Sequence, residues 1–411
     1  MVNVLLVTQR FYPPWSDGTV SYARGLADAI LETSKLGKNV ELTALSLTEK
    51  TWFPKLHHQE LKKYLEQKRM GLEWFHTPEK RYQLSLWKLV KNLSQKNDYD
   101  LVHLICLGLD PLLMRMGINN KQKSHVVKHL FVFPFHSSFP AEKVAYNLFR
   151  KSSAFKKLNI DLVFSSEVLQ NMYGANEATV LPPTVDVNLY SPNSKVNDAC
   201  DVLMSSPTKF GNATDVLHRD SVVLYMGPLS PERFDWKSVI GGFTKLCKEY
   251  GVNAGLMVVG RGFEKLSFFE EIKNYVHKNN LENRVFLCLH DLTEAEKICL
   301  FKSAHVFLYP FPGALRRMSV VFPPIALLES MSAGLCVVSG GLPYLNSLIK
   351  SHKNGILLQE DITEKTLAEA IWSAITNKKK ISQNARLTIE KEFSIEHVSK
   401  LYVDFLSKRG I

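Results

Sequence analysis

Short apolar runs alternate along most of the chain with stretches in which apolar residues recur every three or four positions. Apolar runs of four to eight residues bounded by turn formers read as buried strands. The three-to-four spacing reads as amphipathic helix. Val2–Val7 is the first strand, followed by a proline- and aromatic-containing loop over 11–19. A helix then carries Ala23, Leu26, Ala27, Ile30 and Leu31 on one face, and Asn39–Ser46 is the next strand. This βαβ opening implies a parallel sheet with a right-handed crossover. Strands resume at Asp100–Cys106, His125–Phe133, Ile160–Ser165 and Ala178–Leu181, with a helix over Ala141–Lys156.

Residues 50–97 break the alternation. They are rich in Lys, His and aromatics (Trp52, Phe53, Trp74, Phe75, Tyr82, Trp87) and keep no single period. Helical pieces over Leu61–Lys68 and Leu84–Leu93 predict a partly packed helical cover. The stretch 182–192 holds two prolines, an acid and a closing proline, as an interdomain link does. Residues 193–219 are polar and read as a surface insertion. A second series follows: strands at Ser221–Met226, Ala254–Val259, Val285–Leu289, His305–Tyr309, Cys336–Ser339 and Gly355–Leu358. Its helices are Trp236–Glu249, Glu264–Lys278, Thr293–Lys302, Ile325–Ala333 and Thr363–Thr376. Ser394–Lys408 is a last amphipathic helix, capped by Ser394 with Glu396 in its first turn. The expected fold class is α/β, with two doubly wound, Rossmann-like domains, 1–190 and 191–390, facing a cleft. The final segment, 391–411, is expected to pack back on the first domain.

Bulk composition changes this picture little. The chain has 411 residues, 45% hydrophobic and 22% charged, as expected of a soluble globular protein with more than one core. No apolar run reaches the ~18 residues of a membrane span, and the chain begins directly in a strand without a signal-peptide pattern. The six cysteines are scattered, which argues against a metal knuckle or disulfide frame and fits a reducing cytosol. Net charge is +11. Residues 1–190 hold 24 Lys and Arg against 17 Asp and Glu, so +7 lies in the first half. That surplus suits an anionic substrate or a peripheral anionic membrane contact, against the plainer reading of a solvated basic surface.

Chemistry concentrates between His305 and Ile349. Two strand-to-helix turns in succession aim backbone N–H groups at the carboxyl ends of a parallel sheet, where open α/β sheets bind ligands. Helix N-termini and glycine turns there favour phosphate. Glu329 is the one carboxylate in an otherwise small and apolar helix, placed to accept hydrogen bonds from a ribose or sugar hydroxyl pair. Gly340 and Gly341 follow the next strand and can present N–H groups.

Four segments, in order, resemble retaining nucleotide-sugar glycosyltransferases of family 4, which have the GT-B fold. They are Phe11, Tyr12, Pro13 and Pro14 with Asp17, Gly18, Thr19 and Tyr22; the link Leu181–Pro192; Val258–Gly262; and Leu327–Val338. The resemblance covers nearly the whole chain. It implies a nucleoside-diphosphate sugar donor on the second domain and a glycan or lipid acceptor on the first. No metal, other cofactor or nucleic acid is implied, because cations and N–H donors stabilise the leaving diphosphate. Carried onto this chain, Glu329 and His136 are the catalytic candidates, with His129 and His103 as rivals to His136. Gly18, Arg233, Arg261, Lys265, Arg317, Gly340 and Gly341 are the donor-binding candidates, and Leu289, His290 and Asp291 can flank the base. Arg316 is a further cation. The chain departs from the family where its first acid is replaced by Val321, its phosphate-binding Arg and Lys by Pro228 and Phe234, and a later acid by Tyr344. The resemblance, with the basic first half, implies a cytoplasmic enzyme that can associate with a membrane. A catalytically impaired binding protein on the same scaffold is the alternative.

Overall fold

The computed structural model describes residues 1–8, 10–15, 18–47, 57–74, 99–105, 125–130, 160–193, 208–231, 233–260, 266–310, 324–358 and 362–411. They form two compact units, one of Met1–Thr184 with Ile395–Ile411, the other Val185–Ser394. The helices expected over Leu84–Leu93 and Ala141–Lys156 lie outside the described residues.

The first unit runs β1 (Val2–Thr8), α1 (Gly18–Glu32), β2 (Val40–Ser46), α2 (His58–Lys68), β3 (Gly71–Trp74), β4 (Leu101–Leu104), β5 (His125–Leu130), β6 (Ile160–Phe164), α3 (Glu167–Tyr173) and β7 (Thr179–Val180). Its sheet order is β3-β2-β1-β4-β5-β6-β7, all parallel. Val4, Leu5, Leu6 and Val7 of β1 are fully buried, as a central strand covered on both faces must be. The strand β3 is a departure from the helical cover expected over 50–97. It is four residues long, at the sheet edge, with alternate residues exposed, so it lacks the apolar run that marks a buried strand.

The second unit runs β8 (Lys209–Phe210), α4 (Ala213–Leu217), β9 (Ser221–Met226), α5 (Trp236–Glu249), β10 (Ala254–Gly260), α6 (Leu266–Lys278), β11 (Val285–Leu289), α7 (Glu294–Ser303), β12 (Val306–Tyr309), α8 (Ile325–Ser332), β13 (Cys336–Gly340), α9 (Pro343–Leu348), β14 (Ile356–Leu358), α10 (Glu364–Thr376) and α11 (Lys378–Glu392). The last helix, α12 (Ile395–Ser407), returns to the first unit. The second sheet has the order β14-β13-β12-β9-β10-β11-β8, parallel except for β8. Its core gathers the inward faces of β9, β10, β11 and β12 under α5, α6 and α10. Within the polar stretch 193–219, β8 pairs with β11 and Val216 of α4 is fully buried. Cys299 is disulfide-bonded while Cys247, Cys288 and Cys336 are free, so scattered spacing did not exclude a bridge.

Helix α12 is tied to the first unit by a buried polar chain. Tyr402, His103, His129 and Tyr22 are nearly inaccessible. Tyr22 donates to the Leu181 carbonyl at 3.1 Å, which fixes every proton behind it. His129 Nδ1 then donates to Tyr22 Oη (3.1 Å), His103 Nδ1 to His129 Nε2 (2.8 Å), and Tyr402 Oη to His103 Nε2 (2.7 Å). Both imidazoles are satisfied as neutral rings, one donor and one acceptor each. Burial, with Arg409 nearby, lowers the His103 pKa to about 3.

Candidate functional site

In the second sheet the chain winds outward in both directions from the β9–β12 pair, so the topological switch point lies where those two strands end. Tyr225 is the penultimate residue of β9 and Tyr309 the last of β12. Burial pushes both phenols far above their usual range, and each also feels Arg233 as an opposing positive charge. Both are therefore neutral donors at ordinary pH. Arg233 stands in the turn after β9, its N–H donating to Ser230 O at 3.0 Å, and is half-buried. Its positive charge is thus felt by both phenols at the switch point, where open α/β sheets bind ligands. Arg261, Lys265, Arg316, Arg317 and Val321 lie outside the described residues, as does His136.

Phe234 is no vacant cation position. It is 1% exposed, and its ring lies 4.3 Å from that of Tyr225. The exposed Pro228 gives its carbonyl to the Tyr225 hydroxyl at 2.9 Å. Where the resemblance puts two cations, this loop has an aromatic plug and a carbonyl clamp. Gly260, the last residue of β10, meets the loop after β9 backbone to backbone. A Cβ there would lie 1.7 Å from Gly227 O. The glycine of the Val258–Gly262 segment is therefore required by packing, whatever Arg261 does.

Glu329 is on α8, buried, and already partnered. Lys297 Nζ on α7 donates to its Oε1 at 2.8 Å, with the two side chains 6% and 7% exposed. Burial pushes the Glu329 carboxyl above its ordinary range, and Lys297 opposes that rise. Glu294 adds a like charge, and Tyr190 contributes a hydrogen bond. The Tyr190 hydroxyl also donates to Glu294 Oε1 at 3.2 Å, and its ring centroid is 5.1 Å from Lys297 Nζ. Tyr190 is held in turn through its carbonyl, which accepts from Ser332 Oγ (2.8 Å) and Arg386 (3.3 Å). Glu329 is thus the centre of a packed polar cluster rather than a lone acid.

Sequence reasoning missed Lys297. Its position gave a signal: it lies three and four residues before Leu300 and Phe301, on their buried face. A lysine on an apolar stripe calls for a buried acid opposite.

Other candidates fall differently. The Gly341 N–H donates to Leu358 O at 2.9 Å, and Gly340 pairs with Leu358 in the sheet. The Gly341 donor is therefore spent on β14, which corrects the expectation that it faces a ligand. Gly18 is the first residue of α1, at a helix N-terminus suited to an anion. His103 and His129 have both ring nitrogens engaged in the core, so neither is a ready rival to touch a sugar. His290 Nε2 bonds Glu296 Oε1 at 2.9 Å, which holds its pKa up. Among the described residues no group of three His, Cys, Asp or Glu could hold a metal, and no helix is long and apolar enough to cross a membrane.

The class defined by this architecture is the GT-B fold, and comparison agrees. A glycosyltransferase from Rickettsia africae superposes with TM-score 0.70 at 16% identity, over 99% of this chain and 98% of its own. Anabaena Alr3699/HepE, in complex with UDP and glucose, gives 0.67 at 16%, over 99% of this chain and 100% of that one. Sucrose-phosphate synthase from Thermosynechococcus elongatus gives 0.65 at 14%, over 99% and 100%. At the level of sequence, residues 212–388 match the family model described as glycosyl transferases group 1. That match contains Arg233, Lys297, Glu329 and both glycines of the Gly340–Gly341 turn. No curated relative matches the chain.

Proposed function

We propose that the chain is a glycosyltransferase that moves a sugar from a nucleoside diphosphate to a glycan or lipid acceptor with retention of configuration. The observation that carries this reading is Glu329, a carboxylate buried in a small, apolar helix within the segment matched by the group 1 family model. In this reading its oxygens accept the ribose or sugar hydroxyls of the donor. Charge accumulates on the departing diphosphate and on the anomeric carbon. Arg233 at the β9 turn, the cations at 261, 265 and 317, and the α1 N-terminus at Gly18 would offset it without a metal. His136 would orient the transferred sugar. The basic surplus of residues 1–190 favours an acceptor at an anionic membrane surface on the cytoplasmic side.

The test is donor hydrolysis or transfer by the purified protein across UDP-, GDP- and ADP-sugars. HepE was solved in complex with UDP-glucose, which makes that donor the first to try. Turnover with one donor is expected; none with any of the three would overturn the reading. Sedimentation with anionic liposomes tests the membrane contact, and equal partition with neutral liposomes would remove it.

Phe234 favours a second reading. With an aromatic ring packed where the resemblance implies a phosphate-binding lysine, the scaffold would bind a sugar nucleotide without turning it over. Calorimetric binding of UDP or GDP without turnover would establish that alternative.

A further inference from the structure

We propose that Lys297 is the positioning residue for donor recognition, fixing the orientation and charge of the Glu329 carboxylate that receives the nucleotide's ribose hydroxyls. The inference rests on the donor reading of Glu329 given above. It deepens that reading by naming a residue that would not touch the donor at all.

The argument begins with desolvation. A carboxylate on an apolar helix such as α8 loses its charge unless something replaces water around it. A neutral carboxylic acid is a poor acceptor for a diol, because one oxygen becomes a donor and the charge assistance is gone. The groups facing Glu329 come from two elements, α7 and the segment ending at Pro192. Lys297 and Glu294 are on the first, and Tyr190 is on the second. Glu294 repels the charge, and Tyr190 has one proton to share between Glu294 and Glu329. Among the described residues Lys297 is thus the one cation of this cluster, and its 2.8 Å bond to Oε1 also fixes the rotamer. The ammonium is itself held, with the Tyr190 ring 5.1 Å away and its own stem buried beside Leu300 and Phe301. Neither partner can swing freely, so the carboxylate stays aimed.

Three variants test this: Lys297→Met, Lys297→Arg, and Lys297→Met combined with Glu329→Gln. Each is titrated calorimetrically with UDP, GDP and ADP from about pH 5.5 to 8.5, with folding checked by thermal melt. Lys297→Met is expected to weaken the nucleotide that the wild type binds by about 10- to 100-fold near pH 6, the worth of a charge-assisted hydrogen bond. The loss should shrink as pH rises and the carboxylate ionises without help. Lys297→Arg should restore affinity and the flat pH profile. The double variant should fold and bind weakly at every pH. Wild-type affinity in a folded Lys297→Met protein at all pH values would overturn the inference. Should that variant not fold, wild-type affinity in the double variant would do the same. A wild type that binds none of the three nucleotides would instead overturn the donor reading, and this inference with it.

Discussion

Removing one member of a buried ion pair strands the other. Lys297→Met or Glu329→Leu alone is therefore expected to cost about 3–5 kcal/mol, while the double apolar replacement recovers most of that loss. Urea unfolding of the three proteins, compared as a cycle, checks it. A near-zero coupling energy would show that the 2.8 Å contact contributes nothing. His103 gives the residue scale a second prediction, with a sign. Its pKa in the fold is about 3 against 6.5 when unfolded, because burial disfavours the cation. Between those values the unfolded chain holds a proton that the folded chain does not. Stability is therefore full above pH 6.5 and falls on acidification, by up to about 1.4 kcal/mol per pH unit from this group. His103→Gln, which keeps one donor and one acceptor, should lower overall stability yet flatten that slope between pH 6.5 and 5. An unchanged slope would exclude His103 as its source. At this scale the sequence was legible where a residue broke its own pattern. Glu329 stood out in an apolar helix. Lys297 broke the pattern just as plainly, but the expected acidic and basic groups of α7 hid it. The engagement of the Gly341 N–H by Leu358 O could not be read at all, since it depends on which strand lies alongside.

Elements of the second unit matched their sequence signals within a residue or two because β9, β10 and β11 are covered on both faces and so read as unbroken apolar runs. The elements that escaped notice are those with one buried side or less. These include β3 and β8 at the sheet edges, the short helices α3 and α4, and α11, which buries only Ile381, Ala385 and Ile389. Loop chemistry was legible as glycine but not as its cause. The β10 end needs Gly260 because Gly227 O occupies the place of a side chain. Gly260→Ala must therefore move backbone against backbone, and is expected to cost at least the ~1–3 kcal/mol of an overpacked core, read as a lowered urea midpoint. Helix α7 carries a capping box, Thr293 and Glu296, with His290 bonded to the same acid. Glu296→Ala should cost about 1–2 kcal/mol from the cap. Burial works against the Glu296 charge, yet bonds from His290 and Thr293 hold its pKa below normal, while the Glu296 bond holds that of His290 above normal. The acid's contribution is accordingly present above pH 4.5 and lost as pH falls through its lowered value. The imidazolium's contribution is full below pH 6.5 and lost as pH rises through its raised value. In the variant both limbs should be shallower in a stability–pH series, and limbs as steep as the wild type's would contradict the pairing.

For the whole molecule, alternation of strand and helix announced two doubly wound sheets, and the chain's last helix decides how they are completed. Helix α12 is the farthest of the elements in sequence from the first unit it belongs to. It buries Val398, Tyr402, Phe405 and Leu406 there, and Tyr402 supplies the proton that begins the chain through His103, His129 and Tyr22 to Leu181. Arg409, just beyond the helix, is hydrogen-bonded to Asp161 of β6. Each of those apolar side chains is worth about 1.5–3 kcal/mol when buried. Their sum, with an orphaned buried imidazole added, approaches the ~5–15 kcal/mol that a whole domain holds in reserve. A chain ended after Ser394 should therefore lose the cooperative unfolding of its first unit and become protease-sensitive within residues 1–184. Residues 185–394, whose core contains no part of α12, should survive as a resistant fragment with its own thermal transition. Tyr402→Phe, which removes one hydroxyl and leaves His103 Nε2 without its donor, should reproduce only about 1–3 kcal/mol of that loss. Equal protection of both units in the truncated protein would show that the first sheet holds itself together without the returning helix.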